Sequence, residues 1–162
     1  VLNQTYYSLV GREYEWELLP LGDDQKISAM VWSPLAGGAL SGKISRSKPA
    51  PAGTRSAAMD FVVSSKSEHL HNVVDVLEEM ALETGKSVAQ VALNWVLHRP
   101  TVANIVIGAR NEEQLKQNLG AVGWTLEASQ VARLDAVSKT RAAYPYWHQQ
   151  TFPQLQRPHL PV

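Results

Sequence analysis

Short β-branched apolar segments alternate along this chain with longer amphipathic ones, and no other feature constrains the fold as strongly. Three strands are predicted, at residues 1–7, 27–32 and 102–107. Helical periodicity fills most of the chain between and after them. Strands that alternate with helices are typical of βα units, which build a parallel sheet. The sequence therefore predicts an α/β fold.

The helices before residue 100 have clear starts and stops. Pro20 lies inside the helical stretch 12–26, so we expect two short pieces with Pro20 in the first turn of the second. A helix beginning near Lys66 is predicted to end at Gly85. Ser87 then begins the next one, with Gln90 at capping-box spacing. Apolar residues at helical spacing predict the buried faces of these two helices: Leu70, Val73, Val74, Leu77, Met80, Ala81, Val91, Ala92, Trp95 and Val96.

Two further helices are predicted after the third strand. The first begins at Asn111, and we expect Leu115, Leu119 and Val122 to face inward. The second spans residues 127–139 and should bury Val131, Leu134 and Val137. Residues 141–162 contain four of the nine prolines and no acidic residue, so we expect an irregular tail.

Composition excludes several functional classes. Fifteen Lys and Arg residues balance fifteen Asp and Glu residues, which argues against nucleic acid or an anionic membrane as the main partner. The chain has no Cys, so a disulfide scaffold, a Cys-ligated metal and a thiol nucleophile are excluded, and a reducing, cytoplasmic setting is expected. No apolar run reaches the length of a membrane-spanning helix. No metal site is predicted, since no His pair has ligand spacing.

The glycine-rich segment after the second strand resembles a phosphate loop. Gly37, Gly42 and Lys43 match G-x-x-x-x-G-K, but Ile44 stands where a magnesium-binding Ser or Thr is needed. Pro49 follows where a helix should open. A nucleotide-triphosphatase is therefore disfavoured, and a tight loop without a ligand remains an alternative.

A second glycine site joins the third strand to a helix. Gly108, Arg110 and Asn111 lie at this turn, where free backbone N–H groups and the helix dipole favour an anion. The Arg110 guanidinium adds donors suited to phosphate. The alternative is that Asn111 only caps the helix and Arg110 is a solvated side chain.

Four segments together resemble the C-terminal half of the aldo-keto reductases. They are NQTYYSL at residues 3–9, WSPLAGGALSGK at 32–43, VAQVALNW at 88–95 and IGARNEEQLKQNL at 107–119. The branch they resemble is that of bacterial reductases similar to potassium-channel β-subunits. The resemblance implies strands six to eight of a (β/α)8 TIM barrel, incomplete in this chain, with residues 1–140 as its cofactor-binding part and 141–162 as a tail.

The resemblance also implies NADPH as cofactor and assigns its contacts. Gln4 would bind the nicotinamide carboxamide, and Trp32 would stack on the ring, although a core aromatic is the alternative for Trp32. Helix capping competes with the binding role of Gln114. The pyrophosphate would contact Ser33, Pro34, Leu35, Gly37, Ser41 and Lys43, and the adenosine phosphate would lie near Arg55. The adenosine would be surrounded by Gly108, Arg110, Gln114, Gln117 and Asn118.

The catalytic Asp, Tyr, Lys and His of the family lie on strands that this sequence does not match, so no catalytic residue is assigned. We expect the cofactor-binding portion of a reductase that converts aldehydes or ketones to alcohols, inert by itself. Val1 already lies in a predicted strand, so we expect a preceding N-terminal half or a second copy to cover the outer strand edges. The alternatives are a non-catalytic dinucleotide-binding or regulatory module and an inactive remnant.

Overall fold

The computed structural model describes residues 1–48, 64 and 66–152. Two single 3₁₀ turns, Glu13–Trp16 and Ala36–Gly38, accompany nine regular elements within these residues. The strands are β1 (Leu2–Tyr6), β2 (Ser28–Trp32) and β3 (Val102–Ile105). The helices are α1 (Leu18–Gln25), α2 (Glu68–Thr84), α3 (Val88–Leu97), α4 (Glu112–Leu119), α5 (Ala128–Ser138) and α6 (Tyr146–Thr151).

The three strands form a parallel sheet in the order β1-β2-β3. The predicted α/β class is confirmed, with each strand one to two residues shorter than expected at an end. Helices cover one face of the sheet, where Ala29 and Val31 of β2 are buried against α2 and α3. An irregularity between Ala29 and Met30 shifts the register of β3 by one residue.

Capping chemistry fixes the helices as the sequence predicts. The Ser67 hydroxyl accepts the Leu70 N–H at the start of α2, and Gly85 ends that helix in the left-handed conformation. Ser87 and Gln90 form the expected capping box. All of the predicted inward residues of α2 and α3 are buried except Ala81, which is half-buried. The stretch 12–26 divides as predicted, with Pro20 in the first turn of α1.

Two arginines join the segment after β1 to α5. Arg12 binds both carboxylate oxygens of Glu15, and Arg99 binds both oxygens of Asp135 at 3.1 and 3.2 Å. The two guanidiniums lie 5.3 and 4.6 Å from the ring centre of Trp95, which is fully buried. These charge-assisted bonds hold the carboxyl end of β1 in place.

The opposite face of the sheet has no helix against it among the described residues. Gln4, Met30 and Asn104 occupy neighbouring register positions across the three strands on this face, and Gln4 and Asn104 are exposed. At its carboxyl end, the rings of Tyr6 and Trp32 lie 5.1 Å apart. Parallel sheets in proteins are ordinarily covered on both faces.

The prediction that the apolar stripe of α4 faces the interior is wrong. Leu115, Leu119 and Val122 are 40%, 53% and 60% exposed. The helix turns Asn118 and the following Ala121 toward the interior instead. Periodicity locates an apolar stripe but not the element that covers it, and no described residue packs over this one.

The last predicted helix is present as α5. Leu134 is buried, and Val131 and Val137 pack against the core. The segment expected to be an irregular tail contains the short helix α6, whose Tyr146 ring lies 5.7 Å from that of Trp16. No helix among the described ranges is long and apolar enough to cross a membrane.

Candidate functional site

A cleft opens where β2 and β3 end. The strands are parallel neighbours, so the loops that follow them lie side by side, and ligands of α/β sheets bind at this edge. The structure brings eleven of the fourteen predicted site residues to this cleft: Ser33, Pro34, Leu35, Gly37, Ser41, Lys43, Gly108, Arg110, Gln114, Gln117 and Asn118. Sequence reasoning missed Gly38, Ala89, Val106, Ile107 and Glu113, which also line it. In the sequence, these residues are indicated only by their position next to residues already assigned to the site.

The loop after β2 has an unusual backbone. Ser33 and Ala36 adopt left-handed φ angles of 53° and 49°, which are uncommon for residues other than glycine. The Ser33 hydroxyl accepts the N–H of Gly37 at 3.0 Å and stabilises the turn. Such conformations persist where the surroundings enforce them, and they cluster at functional sites.

Gly42 lets this loop approach α3 closely. Its φ angle is 79°, and a Cβ atom at this position would lie 3.1 Å from the Cβ of Val88. Ile44 is then fully buried in the core, and no helix opens at the position where a phosphate loop requires one. The structure thus agrees with the exclusion of a phosphate-loop site.

Two cations face the cleft without an ion-pair partner among the described residues. Lys43 comes from the β2 loop, and Arg110 precedes α4. By contrast, the described guanidiniums of Arg12, Arg46 and Arg99 are all paired with carboxylates. The described lining carries these two cations and one carboxylate, Glu113, so its net charge is positive and suits a polyanion.

The amino end of α4 is capped from within. The Asn111 side chain accepts the Gln114 N–H at 2.8 Å, and the Gln114 side-chain oxygen accepts the Arg110 N–H at 2.9 Å. The capping roles considered for Asn111 and Gln114 are therefore present. The Gln114 amide group and the Arg110 guanidinium keep donors for a ligand.

The Asn118 side chain makes no hydrogen bond to any described residue. The residue as a whole is 6% exposed and lines the cleft, and its carboxamide atoms are not among the buried atoms that lack a partner, so they reach the cleft surface. Asn118 therefore presents both a donor and an acceptor to whatever occupies the cleft.

Three predicted residues are not among those that line the cleft. Gln4 and Trp32 lie on the uncovered face of the sheet, and Trp32 is 41% exposed among the described residues. Arg55 lies outside the described residues. Within the ranges described, no cluster of three His, Asp or Glu side chains has the arrangement of a metal site.

The structure defines an α/β protein whose parallel sheet carries a cleft at its carboxyl edge. The profile of the aldo/keto reductase family matches residues 1–139, and the chain belongs to that family. Members of this family generally use NADH or NADPH.

Relatives and a solved structure agree with this membership. The chain is 38% identical over 127 residues to the uncharacterized oxidoreductase YrpG of Bacillus subtilis, which covers 78% of this chain and 37% of that protein. It is 32% identical over 126 residues to a probable voltage-gated potassium channel subunit beta of Arabidopsis thaliana, covering 75% and 38%. The similarity to channel β-subunits predicted from the sequence is thus confirmed. The chain spans well under half the length of these relatives.

The fold matches that of a glycerol dehydrogenase from Gluconobacter oxydans. The TM-score is 0.69 at 24% identity, over 99% of this chain and 45% of the other. This likeness shows the fold: the three-stranded sheet and its helices correspond to part of a TIM barrel.

Proposed function

We propose that this chain is the dinucleotide-binding portion of an NADPH-dependent aldo-keto reductase that reduces aldehydes or ketones to alcohols. The observation that carries the proposal is the cleft at the ends of β2 and β3, where Lys43 and Arg110 lack carboxylate partners among the described residues. A dinucleotide phosphate is a polyanion with a flat base at each end, and the cleft offers cations and an unpartnered carboxamide. The absence of Cys supports a cytoplasmic setting.

The β2 loop would hold the pyrophosphate. Lys43 supplies a charge, and Ser41 supplies a hydroxyl that donates to the Gly38 carbonyl at 2.6 Å in the structure and would turn to donate to a phosphate oxygen. Ser33, Pro34, Leu35 and Gly37 would contribute backbone groups.

The α4 side would hold the adenosine half. Arg110 is suited to the 2′-phosphate because a guanidinium binds phosphate in a bidentate manner. Asn118 can donate to and accept from the adenine edge, and Gln114, Gln117 and Gly108 surround it. We extend the assignment to Arg55 on the family resemblance alone.

The nicotinamide half would lie at the carboxyl end of the uncovered sheet face, beside the rings of Tyr6 and Trp32. The exposed Trp32 ring provides a stacking surface, and Gln4 offers a carboxamide two residues before Tyr6, the ring partner of Trp32. Reduced nicotinamide supplies a hydride to a carbonyl carbon. The carbonyl oxygen also needs a proton donor, and no position here matches the family's catalytic residues. We therefore propose that these 162 residues bind the cofactor without turning substrate over.

The uncovered sheet face supports a further partner for the complete enzyme. Gln4, Met30 and Asn104 line it, and Leu115 and Leu119 of α4 form a second exposed surface. We propose that the remaining βα units of the barrel cover these surfaces, supplied by an N-terminal half or by a second copy of the chain. Closure of a barrel leaves no strand edge unpaired.

The test is NADPH binding and turnover by the purified 162-residue chain. Micromolar binding, measured by titration calorimetry, with no carbonyl-dependent oxidation of NADPH supports the proposal. Turnover by the chain alone contradicts the lack of catalytic residues. Absence of binding favours an inactive remnant.

A non-catalytic regulatory module is the second candidate, favoured by the similarity to a channel subunit β. The two candidates are separated by restoring the missing barrel units. Carbonyl reduction by the restored barrel supports the reductase, whereas binding with no reduction supports the module.

A further inference from the structure

The outer end of the β2 loop is fastened to α2 by one side chain. Ser45 and Lys48 exchange backbone hydrogen bonds of 3.0 and 3.1 Å, which form a tight turn. Arg46 projects from this turn. Its Nη1 and Nη2 donate to Glu68 at 3.1 and 2.7 Å, and its Nε donates to Asp75 at 2.8 Å.

A fourth contact completes the attachment, because Arg46 Nη2 also donates to Asn72 Oδ1 at 2.6 Å. The guanidinium thus binds three residues on one face of α2. The hydrogen bond from Arg46 lowers the pKa of the Glu68 carboxyl below its ordinary value, in agreement with a close pair.

The attachment lies next to the phosphate-facing part of the loop. Lys43 lies three residues before Arg46 and makes no side-chain contact that fixes it among the described residues. Its position therefore depends on the backbone around it, which is anchored before it by the buried Leu40 and after it by the buried Ile44 and then by Arg46.

We propose that Arg46, through its contacts with Glu68, Asn72 and Asp75, is a positioning residue that holds Ser41 and Lys43 in place to bind the cofactor phosphates. This inference rests on the proposed function. It assigns affinity for the dinucleotide to a side chain that does not line the cleft.

The chain contains a matched control. Arg133 on α5 pairs with Glu79 and Glu83, also on α2, and its side chain is 44% exposed against 45% for Arg46. Exposed pairs of this kind contribute little to stability. The two arginines differ in what they attach, since Arg133 joins two helices and Arg46 joins the loop to a helix.

The experiment measures NADPH affinity in the 162-residue chain for the wild type, Arg46→Ala, Arg46→Lys and Arg133→Ala. Arg46→Ala should raise the Kd about three- to tenfold, and Arg133→Ala should change it less than about twofold. Arg46→Lys should fall between, because a lysine cannot bind two carboxylates in a fork. In a Lys43→Ala background, Arg46→Ala should have less than half its effect, since the two act on the same phosphate contact.

Hydrogen exchange without ligand gives a second measurement. The Ser45 and Lys48 amides should exchange faster in Arg46→Ala and not in Arg133→Ala. Three outcomes would overturn the positioning role and leave the proposed function intact. They are unchanged hydrogen exchange in Arg46→Ala, equal losses of NADPH affinity in Arg46→Ala and Arg133→Ala, and full additivity of Arg46→Ala with Lys43→Ala. A wild-type chain that does not bind NADPH would overturn the proposed function and the positioning role together.

Discussion

Asn94 and Asn118 are both more than nine-tenths buried, yet of the two only Asn94 uses its carboxamide in hydrogen bonds to other described residues. Asn94 donates to the carbonyls of Ala121 and Trp124 at 2.9 Å each and accepts the Leu126 N–H at 3.3 Å. Asn118 has no such partner among the described residues. Asn94 therefore holds the segment after α4 against α3, whereas the Asn118 carboxamide remains available to a ligand in the cleft.

This contrast predicts opposite effects for two alanine substitutions. Asn94→Ala should destabilise the fold by about 3 kcal/mol, because it leaves buried backbone groups unsatisfied. Asn118→Ala should cost less than about 1 kcal/mol of stability but weaken NADPH binding about tenfold. Urea unfolding and calorimetric titration measure the two quantities. Equal destabilisation by both substitutions would remove the assignment of Asn118 to the ligand.

Trp32→Ala should weaken NADPH binding about tenfold and abolish most of the fluorescence quenching that accompanies it. The reason is that the exposed indole is the stacking surface proposed for nicotinamide. Trp147 on α6 is 36% exposed and does not line the cleft, so Trp147→Ala is the matched control. Unchanged affinity in Trp32→Ala would contradict the stacking role.

Arg110→Ala should reduce the preference for NADPH over NADH by about tenfold, because a guanidinium binds the 2′-phosphate that NADH lacks. Lys116→Ala on α4, the helix that follows Arg110, removes a cation paired with Glu112 at 2.7 Å and should leave that preference unchanged. The measurement is the ratio of the two dissociation constants. Equal losses for both cofactors would assign Arg110 to a part of the dinucleotide that the two share.

The buried phenol of Tyr7 should lower the free energy of unfolding at alkaline pH. Burial raises the pKa of this phenol above its ordinary value, and its hydrogen bond to Glu15 raises it further. The unfolded chain therefore releases this proton first, and stability falls above about pH 10 by up to about 1.4 kcal/mol per pH unit. Below that pH the phenol is neutral in both states and contributes no slope. Tyr7→Phe should make the alkaline limb of urea unfolding shallower, and an unchanged limb would contradict this.

The exposed apolar stripe of α4, Leu115 and Leu119, should form an interface with a second copy of the chain or with the remaining barrel units. Leu119→Lys should weaken self-association of the isolated chain, or its binding to the remaining barrel units, about tenfold or more, because it places a charge in an apolar interface. Leu82 on α2 is 86% exposed, and Leu82→Lys is the control. Sedimentation velocity measures both. Identical behaviour of the two variants would exclude the α4 stripe from the interface.

Local chemistry explains which elements the sequence predicts correctly. Ser67, Gly85, Ser87 and Gln90 act within their own turns, so the ends of α2 and α3 follow from spacing alone. The alternation of strands and loops in the sequence likewise predicts that the cleft opens at the carboxyl edge of the sheet. These features depend on contacts only a few residues apart.

Long-range contacts explain the remainder. Arg12 and Arg99 converge on Trp95 through folding, and no spacing rule pairs them. Periodicity shows which side of a helix is apolar but not which element packs against that side. The sequence therefore predicts that Leu115 and Leu119 face inward, whereas both are exposed. The difference between Asn94 and Asn118 follows from which carbonyls reach each carboxamide, and this depends on the packing of α4 against α3.

The pairing of β2 with β3 also determines when the cleft can form. These strands are neighbours in the sheet, but α2 and α3 lie between them in the chain, so the cleft forms only when distant parts of the chain pair. Such non-local pairing is slower than the formation of local contacts. A ligand that binds both halves of the cleft favours the paired state by mass action, so we expect the proposed dinucleotide to raise the free energy of unfolding.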